Sequence, residues 1–232
     1  MAMVYLIPAP LDENALLPIP SYVLSAIKEC AVFFVENERT TRRYFKKQDP
    51  SIVIDDYRWY NMEKGGDEMQ AAFLSELRSQ KIIGIVSEAG CPGVADPGQL
   101  LVELAHREKA VVKPLVGPSS ILLALMASGF NGQQFAFHGY LPVEEGERIK
   151  KIRLLEEQSS KHHLTQIFIE TPYRNDKLLS ALLKTLHPQT RLCVALNLTG
   201  ENEKIWSMTV GEWKKIAPSL HKQPAIFLIL NN

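Results

Sequence analysis

The chain has 232 residues, of which 46% are hydrophobic and 22% are charged, and its 26 basic and 26 acidic side chains give a formal net charge of zero. This composition is that of an ordinary soluble globular protein with one large or two small domains. The neutral balance neither indicates nor excludes a nucleic-acid partner, because a local basic patch is enough to bind one.

The sequence disfavours a membrane protein, a metal-binding protein and a disulfide-bonded protein. No apolar run approaches the length that spans a bilayer, and the N-terminus lacks the pattern of a secretory leader. The cysteines Cys30, Cys91 and Cys193 are odd in number and widely spaced, so they form neither a metal-binding pattern nor a disulfide framework. We therefore expect a cytoplasmic protein without a metal.

The first half of the chain alternates short apolar runs with segments of helical spacing. The predicted strands cover residues 3–7, 31–35, 52–54, 82–86 and 111–116. Helices are predicted between them, the first beginning at the N-cap residue Ser21 and a basic one covering residues 41–47. This alternation predicts an α/β fold with a largely parallel sheet.

The strand at residues 82–86 leads into a loop that is unusually rich in glycine and proline. Gly90, Pro92, Gly93, Pro97 and Gly98 fall within nine positions, and a helix with apolar residues at helical spacing follows. A strand, a glycine-rich loop and a helix in this order form the place where open α/β sheets bind ligands. A tight structural turn is the alternative interpretation.

A second junction of this kind follows the strand at residues 111–116. Gly117, Pro118, Ser119 and Ser120 begin an apolar helix that Gly129 closes. Backbone N–H groups at such a helix start can contact a ligand, although simple helix capping is equally compatible with the pattern. A compositional seam here predicts two α/β domains, residues 1–116 and 117–232, with a cleft between them.

The second half again alternates strands and helices, and it contains no repeat or low-complexity segment. Its predicted strands cover residues 135–138, 166–170, 192–198, 204–209 and 224–230. Its predicted helices cover residues 144–158, 176–186 and 212–217. The whole chain is thus predicted to belong to the α/β class.

Five segments, in register, resemble the motifs of one known family. They read V-E-N-E-R-T-T at 35–41, S-E-A-G-C-P-G-V-A-D-P-G at 87–98, G-P-S-S with A-S-G-F at 117–120 and 127–130, F-H-G-Y-L-P at 137–142 and E-T-P-Y-R at 170–174. They are similar to the motifs of the tetrapyrrole methylase superfamily of S-adenosylmethionine-dependent methyltransferases, and most of all to its ribosomal RNA small-subunit methyltransferase I branch. That branch methylates a cytidine ribose 2′-oxygen in 16S rRNA.

The resemblance implies two α/β domains with S-adenosylmethionine in the cleft between them, and usually a homodimer. It also implies that backbone groups hold most of the cofactor, which accounts for the glycines and prolines of the motifs. The residues that match the family's cofactor contacts are Glu88, Ala89, Gly90, Cys91, Val94, Ser119, Ser120, Leu198 and Pro224.

Transfer of a methyl group from a sulfonium is an in-line displacement, in which the enzyme mainly aligns the reacting atoms and excludes water. A ribose hydroxyl as nucleophile would need a base nearby. Glu36 and Glu170 are the candidate proton acceptors, and Arg39 and Arg174 the candidate phosphate ligands, because they match motif positions on loops that follow strands. An ion pair, on the surface or between domains, is the alternative for each.

The basic helix carries the best candidate patch for RNA, although a solvated helix face is the alternative interpretation. Its cations are Arg42, Arg43, Lys46 and Lys47, and its aromatic residues are Tyr44 and Phe45. The adjacent His162 and His163 lack a further ligand at metal-binding spacing, so we expect no metal there.

Three functions remain open. The motif matches favour an RNA ribose methyltransferase. A methyltransferase of the same fold acting on a tetrapyrrole, another small molecule or a protein is favoured by the neutral charge and by N-L-T-G at 197–200, where the RNA branch commonly has E-L-T-K. A non-catalytic interaction module is supported only by the first loop, A-P-L-D-E-N at 9–14, which lacks the family's glycine.

Overall fold

The computed structural model describes residues 2–62, 65–216 and 218–231. The chain divides into two compact α/β units, Met1–Ser119 and Ser120–Asn232, each with its own five-stranded sheet. The predicted α/β class is confirmed. Within the described ranges, no helix is long and apolar enough to cross a membrane.

The first unit is a parallel sheet covered by helices. Its strands are β1 Met3–Ile7, β2 Val32–Val35, β3 Arg58–Asn61, β4 Ile82–Val86 and β5 Val111–Pro114, in the order β3-β2-β4-β1-β5, and each neighbouring pair runs parallel. Its helices are α1 Tyr22–Glu29, α2 Glu38–Gln48, α3 Asp67–Arg78 and α4 Gln99–Arg107. The continuous β-branched and aromatic runs of β2 and β4 suit strands that are buried on both faces.

Two apolar clusters pack on the opposite faces of this sheet. Along β2, Phe33 and Val35 belong to one cluster, whereas Val32 and Phe34 belong to the other. This division follows from the alternation of side chains along a strand. Both faces of the sheet are therefore buried, and the loops at the strand ends are the parts that can form a binding site.

The predicted third strand at residues 52–54 is wrong. Ile54–Asp56 form a single 3₁₀ turn, and the strand begins at Arg58 instead. Two consecutive aspartates favour a turn over a strand, whereas Trp59 and Tyr60 stack on the rings of the neighbouring strand β2 with centroid distances of 5.1 and 4.7 Å. Cross-strand aromatic pairs thus select the segment that joins the sheet.

The second unit has a mixed sheet. Its strands are β6 Phe135–Tyr140, β7 Thr165–Ile169, β8 Arg191–Leu196, β9 Lys204–Thr209 and β10 Ala225–Leu230, in the order β6-β7-β10-β8-β9. Its helices are α5 Ser120–Ser128, α6 Glu145–His162, α7 Asn175–Thr185 and α8 Val210–Ile216. The last residue of the predicted helix 212–217, Ala217, lies outside the described residues.

The second sheet, unlike the first, is not largely parallel. Only β6 and β7 pair in parallel in the part of it that the structure describes, and the other three pairings are antiparallel. Residues 197–203 connect β8 to β9, and this connection is too short for the crossover that a parallel pairing needs. The resulting hairpin fixes the antiparallel half of the sheet.

In each sheet, the strand ends that matter for the candidate site meet at one edge. In the first unit the carboxyl ends of all the parallel strands share an edge, which we call the carboxyl edge. In the second unit β6, β7 and β8 end where β9 and β10 begin, since Ala225 pairs with Leu196 and Ile226 pairs with Ile169. We call this the exit edge of the second sheet.

Candidate active site

The glycine-rich loop at 87–98 is fastened to the end of β1. Ala9 and Gly90 exchange both backbone hydrogen bonds, with the Ala9 amide 2.9 Å from the Gly90 carbonyl and the Gly90 amide 3.0 Å from the Ala9 carbonyl. Gly90 adopts a φ of 80°, a left-handed conformation that favours glycine. The loop therefore has a fixed position on the carboxyl edge of the first sheet.

A third segment, which follows β5, packs against the residues that follow β1 and against the glycine-rich loop. A Cβ atom at Gly117 would lie 2.1 Å from the Cβ atom of Pro8, so only glycine allows the two segments to approach this closely. The Cys91 thiol lies 3.5 Å from the Pro118 carbonyl oxygen and 3.8 Å from that of Gly117. The loops that follow β1, β4 and β5 thus form one packed group.

Three carboxylates meet at this carboxyl edge. A carboxylate oxygen of Glu36 accepts a hydrogen bond of 2.5 Å from the backbone N–H of Glu88. Burial, followed by the negative charge of Glu36, raises the pKa of Asp96 to about 7, and the charge of Glu88 adds to this. A hydrogen bond with Ser87 opposes the rise. Asp96 therefore ionises near neutral pH, beside the carboxylates of Glu36 and Glu88.

Asp96 is the residue of this site that sequence reasoning missed. It lies inside the matched loop, in D-P-G, but the prediction took only residues between Glu88 and Val94 of that loop as site residues. Its neighbour Glu36 is far away in the sequence, and only the pairing of β2 with β4 brings the two together. The one local signal was an acidic residue between glycines in a loop that follows a strand.

Asp96→Asn is expected to stabilise the protein above pH 7. The wild-type carboxyl ionises at about 7 when folded, but at about 4 when unfolded. Because its folded pKa is raised, the proton-bound form favours folding at low pH, and this contribution is lost as the pH rises from about 4 to 7. The substitution should therefore change little near pH 4 and add about 1–2 kcal/mol above pH 7, a value reduced for solvent screening of a half-buried group.

Urea unfolding of both proteins at pH 4 and pH 8 measures this difference. A gain in free energy of unfolding at pH 8 that is absent at pH 4 supports the assignment. An equal effect at both pH values would contradict it, because packing rather than ionisation would then account for the change.

A cavity of about 220 Å³ lies beside the carboxylates in the first unit. Its walls come from the first loop, from α2 and from the start of the glycine-rich loop, and they include Leu11, Tyr44, Glu88 and Ala89. The cavity is large enough for part of a small molecule rather than for a whole drug-sized ligand.

Helix α2 begins beside this cavity and fastens the first loop. The Asn37 side chain caps the helix by accepting hydrogen bonds from the N–H groups of Arg39 and Thr40 at 3.1 and 3.3 Å. Further along, Arg43 pairs with Glu13 at 2.5 Å, and the Lys47 ammonium donates to the Glu13 carbonyl at 2.8 Å. Arg39 itself is exposed and directly precedes Thr40, which lines the cavity.

The aromatic part of the predicted RNA patch on α2 is wrong. Tyr44 and Phe45 are only 6% and 0% exposed, and the Tyr44 hydroxyl donates to the Pro8 carbonyl at 3.1 Å. Arg42 forms an ion pair with Glu38 within the helix. Buried rings cannot stack on bases, so this face offers charge alone.

At the exit edge of the second sheet, Glu170 and Arg174 form an ion pair. The Arg174 Nε and Nη2 atoms donate to Glu170 Oε1 at 3.0 and 2.6 Å, and the Thr171 amide donates to the same oxygen at 2.7 Å. Glu170 is 6% exposed. The geometry is that of the ion-pair alternative, while a catalytic role of either residue stays a prediction.

Two predicted cofactor residues of this unit, Leu198 and Pro224, lie at the same edge. Leu198 is buried, and Pro224 is exposed and accepts a hydrogen bond from the Asn197 amide at 3.1 Å. Beside them, the fully buried Asn175 donates to the Gln223 carbonyl at 2.6 Å. The Oδ1 atom of Asn175 has no hydrogen-bond partner within the described part of the chain.

The structure thus gathers the predicted site residues into two groups, one in each unit. The first unit brings together Glu36, Glu88, Ala89, Gly90 and Cys91, with Val94 further along the same loop and Ser119 at the end of the unit. The second unit brings together Glu170, Arg174, Leu198 and Pro224, while Ser120 begins α5. No cluster of histidine, cysteine or acidic side chains within residues 2–62, 65–216 and 218–231 could hold a metal ion.

Comparisons with known proteins agree on one family. The model of the tetrapyrrole (corrin/porphyrin) methylases matches residues 3–214. A protein of Bacillus subtilis named ribosomal RNA small subunit methyltransferase I is 29% identical over 91% of this chain and 69% of its own length. A protein of the same name from Vibrio cholerae is 30% identical over 90% of this chain and 69% of its own length.

Solved structures share the fold at low sequence identity. Cobalt precorrin-4 methyltransferase superposes with a TM-score of 0.62 at 17% identity, covering 98% of this chain and 94% of its own. Uroporphyrin-III C-methyltransferase from Thermus thermophilus has a TM-score of 0.59 at 14% identity, covering 99% of this chain and 92% of its own.

Proposed function

Because this chain belongs to the tetrapyrrole (corrin/porphyrin) methylase family, we propose that it is a methyltransferase that transfers a methyl group from S-adenosylmethionine to ribosomal RNA. We propose the ribose 2′-oxygen of a cytidine in 16S rRNA as the acceptor. The observation that carries this proposal is the 29–30% identity, over about nine-tenths of the chain, to relatives named ribosomal RNA small subunit methyltransferase I. The substrate would place the protein in the cytoplasm, and we propose a homodimer, as the family resemblance implies.

The carboxyl edge of the first sheet suits a cationic methyl donor. Glu36, Glu88 and Asp96 supply negative charge there, and S-adenosylmethionine carries a positive sulfonium. Gly93 adopts a φ of 79°, and a Cβ atom at this glycine would meet nothing within 4 Å, so the loop backbone beside it is open to a ligand. When bound, the cofactor supplies an electrophilic methyl group.

We propose contacts to the cofactor from both groups of residues. The residues of the first group are Glu88, Ala89, Gly90, Cys91, Val94 and Ser119, and those of the second unit are Ser120, Leu198 and Pro224. The fastening of the loop by Ala9 supports this proposal, because a loop that is held in place needs little ordering when the ligand binds.

The acceptor hydroxyl must lose a proton as its oxygen attacks the methyl group. A base works best when its pKa lies near the working pH, and Asp96 meets this requirement with a pKa of about 7. Glu36 is the other carboxylate of this pair, since its negative charge is one cause of the raised pKa of Asp96. We propose that this pair accepts the proton of the ribose hydroxyl.

The remaining predicted catalytic residues have positioning roles in this proposal. Arg39 is exposed at the start of α2 and is available to a phosphate group. Glu170 holds Arg174 in one orientation through two hydrogen bonds, and the exposed part of that guanidinium would face a second phosphate.

Methylation of 30S subunits tests the proposal. Subunits from a strain that lacks its own cytidine 2′-O-methyltransferase are incubated with the protein and with S-adenosylmethionine labelled in the methyl group. Label in 16S rRNA is expected, on a nucleotide that resists alkaline cleavage. Subunits from the parent strain, which are already methylated, serve as the control and should take up no label.

The outcomes separate the competing functions. Binding of S-adenosylmethionine in calorimetric titration, without label in 16S rRNA, would overturn the RNA substrate and favour a small-molecule or protein methyltransferase. The absence of binding at high micromolar concentrations would overturn the enzyme proposal and favour an interaction module.

A further inference from the structure

Two loops of the second unit are fastened together at its exit edge. The backbone N–H of Lys222 donates to the Pro172 carbonyl at 3.0 Å, which joins the loop that follows β7 to the loop that precedes β10. Lys222 adopts a φ of 61°, an uncommon conformation for a residue with a side chain. We call residues 171–174 and 219–223 the Tyr173 loop pair.

The ring of Tyr173 stands at the surface of this loop pair. The residue is 71% exposed, although a tyrosine of its size is usually buried at least in part. The His221 ring lies edge-on to it with a centroid distance of 6.1 Å, and the Lys222 Nζ atom lies 5.9 Å from its centroid. The ring therefore has defined neighbours but keeps most of its surface in water.

One basic side chain lies over this exposed ring, and a second belongs to the same loop pair. The guanidinium of Arg174 follows Tyr173 directly in sequence, and Lys222 lies over the ring. The two acidic residues nearby form hydrogen bonds of their own. Glu170 accepts a hydrogen bond from the Arg174 guanidinium, and Asp176 accepts one from the Leu220 amide at 2.6 Å. The loop pair thus combines an open aromatic ring with the Lys222 ammonium over it and with the partly exposed guanidinium of Arg174.

This combination is the one that binds unpaired RNA. Single-stranded nucleic acids are held by aromatic rings on which bases stack and by cations that contact the flanking phosphates. The helix α2 cannot supply such a ring, because Tyr44 and Phe45 are buried. The exposed aromatic side chain and the basic side chains coincide at the Tyr173 loop pair instead.

We infer that the Tyr173 loop pair binds the RNA substrate, with one unpaired base stacked on the Tyr173 ring and the adjacent phosphates contacted by Lys222 and Arg174. The inference rests on the proposed function, since it takes the substrate to be RNA. It adds to that function the surface that binds the RNA and the contacts that recognise it. An apolar protein partner is the competing occupant, and the test below separates the two.

Binding of RNA by Tyr173 variants tests the inference. The probe is a fluorescein-labelled single-stranded oligocytidylate, with 30S subunits as a second probe. Tyr173→Ala is expected to weaken binding about tenfold, the usual effect of removing one stacking ring. Tyr173→Phe should bind like the wild type, since the ring is kept. Tyr173→Leu should lose as much as Tyr173→Ala, because leucine is apolar but cannot stack.

The phosphate contact has its own measurement. Lys222→Gln keeps the length of the side chain and the strain of the backbone but removes the charge. It should lower the slope of log affinity against log salt concentration by about 0.7 for one lost phosphate contact on a single strand. Thermal unfolding of each variant should match the wild type, because both side chains are at the surface.

A matched control comes from the same unit. Phe135 is an exposed aromatic residue (41%) at the amino end of β6, the opposite edge of the sheet, so Phe135→Ala should leave RNA binding unchanged. Wild-type affinity in Tyr173→Ala, or in Tyr173→Leu, would overturn the inference while leaving the proposed function intact. If the wild-type protein itself binds and methylates no RNA, both the inference and the RNA substrate are overturned.

Discussion

Asp96→Asn is expected to lower the rate of methyl transfer to 16S rRNA at pH 8 by about 100-fold or more. Removing a general base commonly costs a factor of about 10²–10⁴, and Asp96 is the carboxyl at the carboxyl edge whose pKa is raised to about 7. The measurement is the single-turnover rate with saturating S-adenosylmethionine, which separates the chemical step from binding and product release.

The pH profile gives a readout that a merely structural role would not change. In the wild type the rate should rise with pH up to about 7 and then level off, because the base acts only when it is ionised. Asp96→Asn should abolish this ionisation. Glu36→Gln should move it to lower pH, because the negative charge of Glu36 is one cause of the raised pKa.

A loss of activity in this variant cannot be ascribed to unfolding, since Asp96→Asn is expected to be more stable than the wild type above pH 7. Glu157→Gln provides the control, because this side chain is exposed on α6 in the second unit. A rate for Asp96→Asn within about threefold of the wild type would remove Asp96 from the mechanism, and Glu36 would then remain as the candidate base.

Gly117→Ala is expected to lower the free energy of unfolding by about 3 kcal/mol, at the upper end of overpacking effects. The new Cβ atom would lie 2.1 Å from the Cβ atom of Pro8 and 2.5 Å from its Cγ atom. Carbon atoms in contact prefer about 3.5–4.0 Å, and the proline ring cannot rotate away. The segment at Pro8 or the segment at Gly117 must therefore shift. This shift also disturbs the backbone hydrogen bonds between Ala9 and Gly90, because Ala9 is next to Pro8.

Urea denaturation measures the stability, and calorimetric titration should show weaker binding of S-adenosylmethionine. Gly132→Ala is the matched control, because a Cβ atom at Gly132 would meet nothing within 4 Å, and its effect should stay within about 0.5 kcal/mol. In a Pro8→Gly background the cost of Gly117→Ala should fall, since the clashing atoms are gone. Equal effects of Gly117→Ala and Gly132→Ala would show that no clash exists.

The sequence by itself determined the fold class and the family. Apolar runs of β-branched residues predicted most strands within a few residues, and β9 coincides with the predicted range 204–209. Five motifs in register identified the tetrapyrrole methylase family, which the family model confirms over residues 3–214. These features are local in the chain, so local patterns are sufficient to recognise them.

The tertiary structure decided which residues meet and which are buried. The hydrophobic pattern of a strand is the same whether its neighbour is parallel or antiparallel, so the mixed second sheet was not predictable from it. The helical pattern of α2 likewise does not predict that Tyr44 is buried with its hydroxyl bonded to the Pro8 carbonyl. That the two units share one cofactor cleft stays a prediction.

The candidate base shows the physical reason most directly. The pKa of Asp96 depends on its burial and on the charges of Glu36 and Glu88 around it. Glu36 follows β2, whereas Glu88 and Asp96 follow β4, and only the parallel pairing of these two strands brings their exits to one edge. Burial and long-range charge arise from packing, so the sequence indicated the glycine-rich loop, and the folded chain singled out the carboxyl group within it.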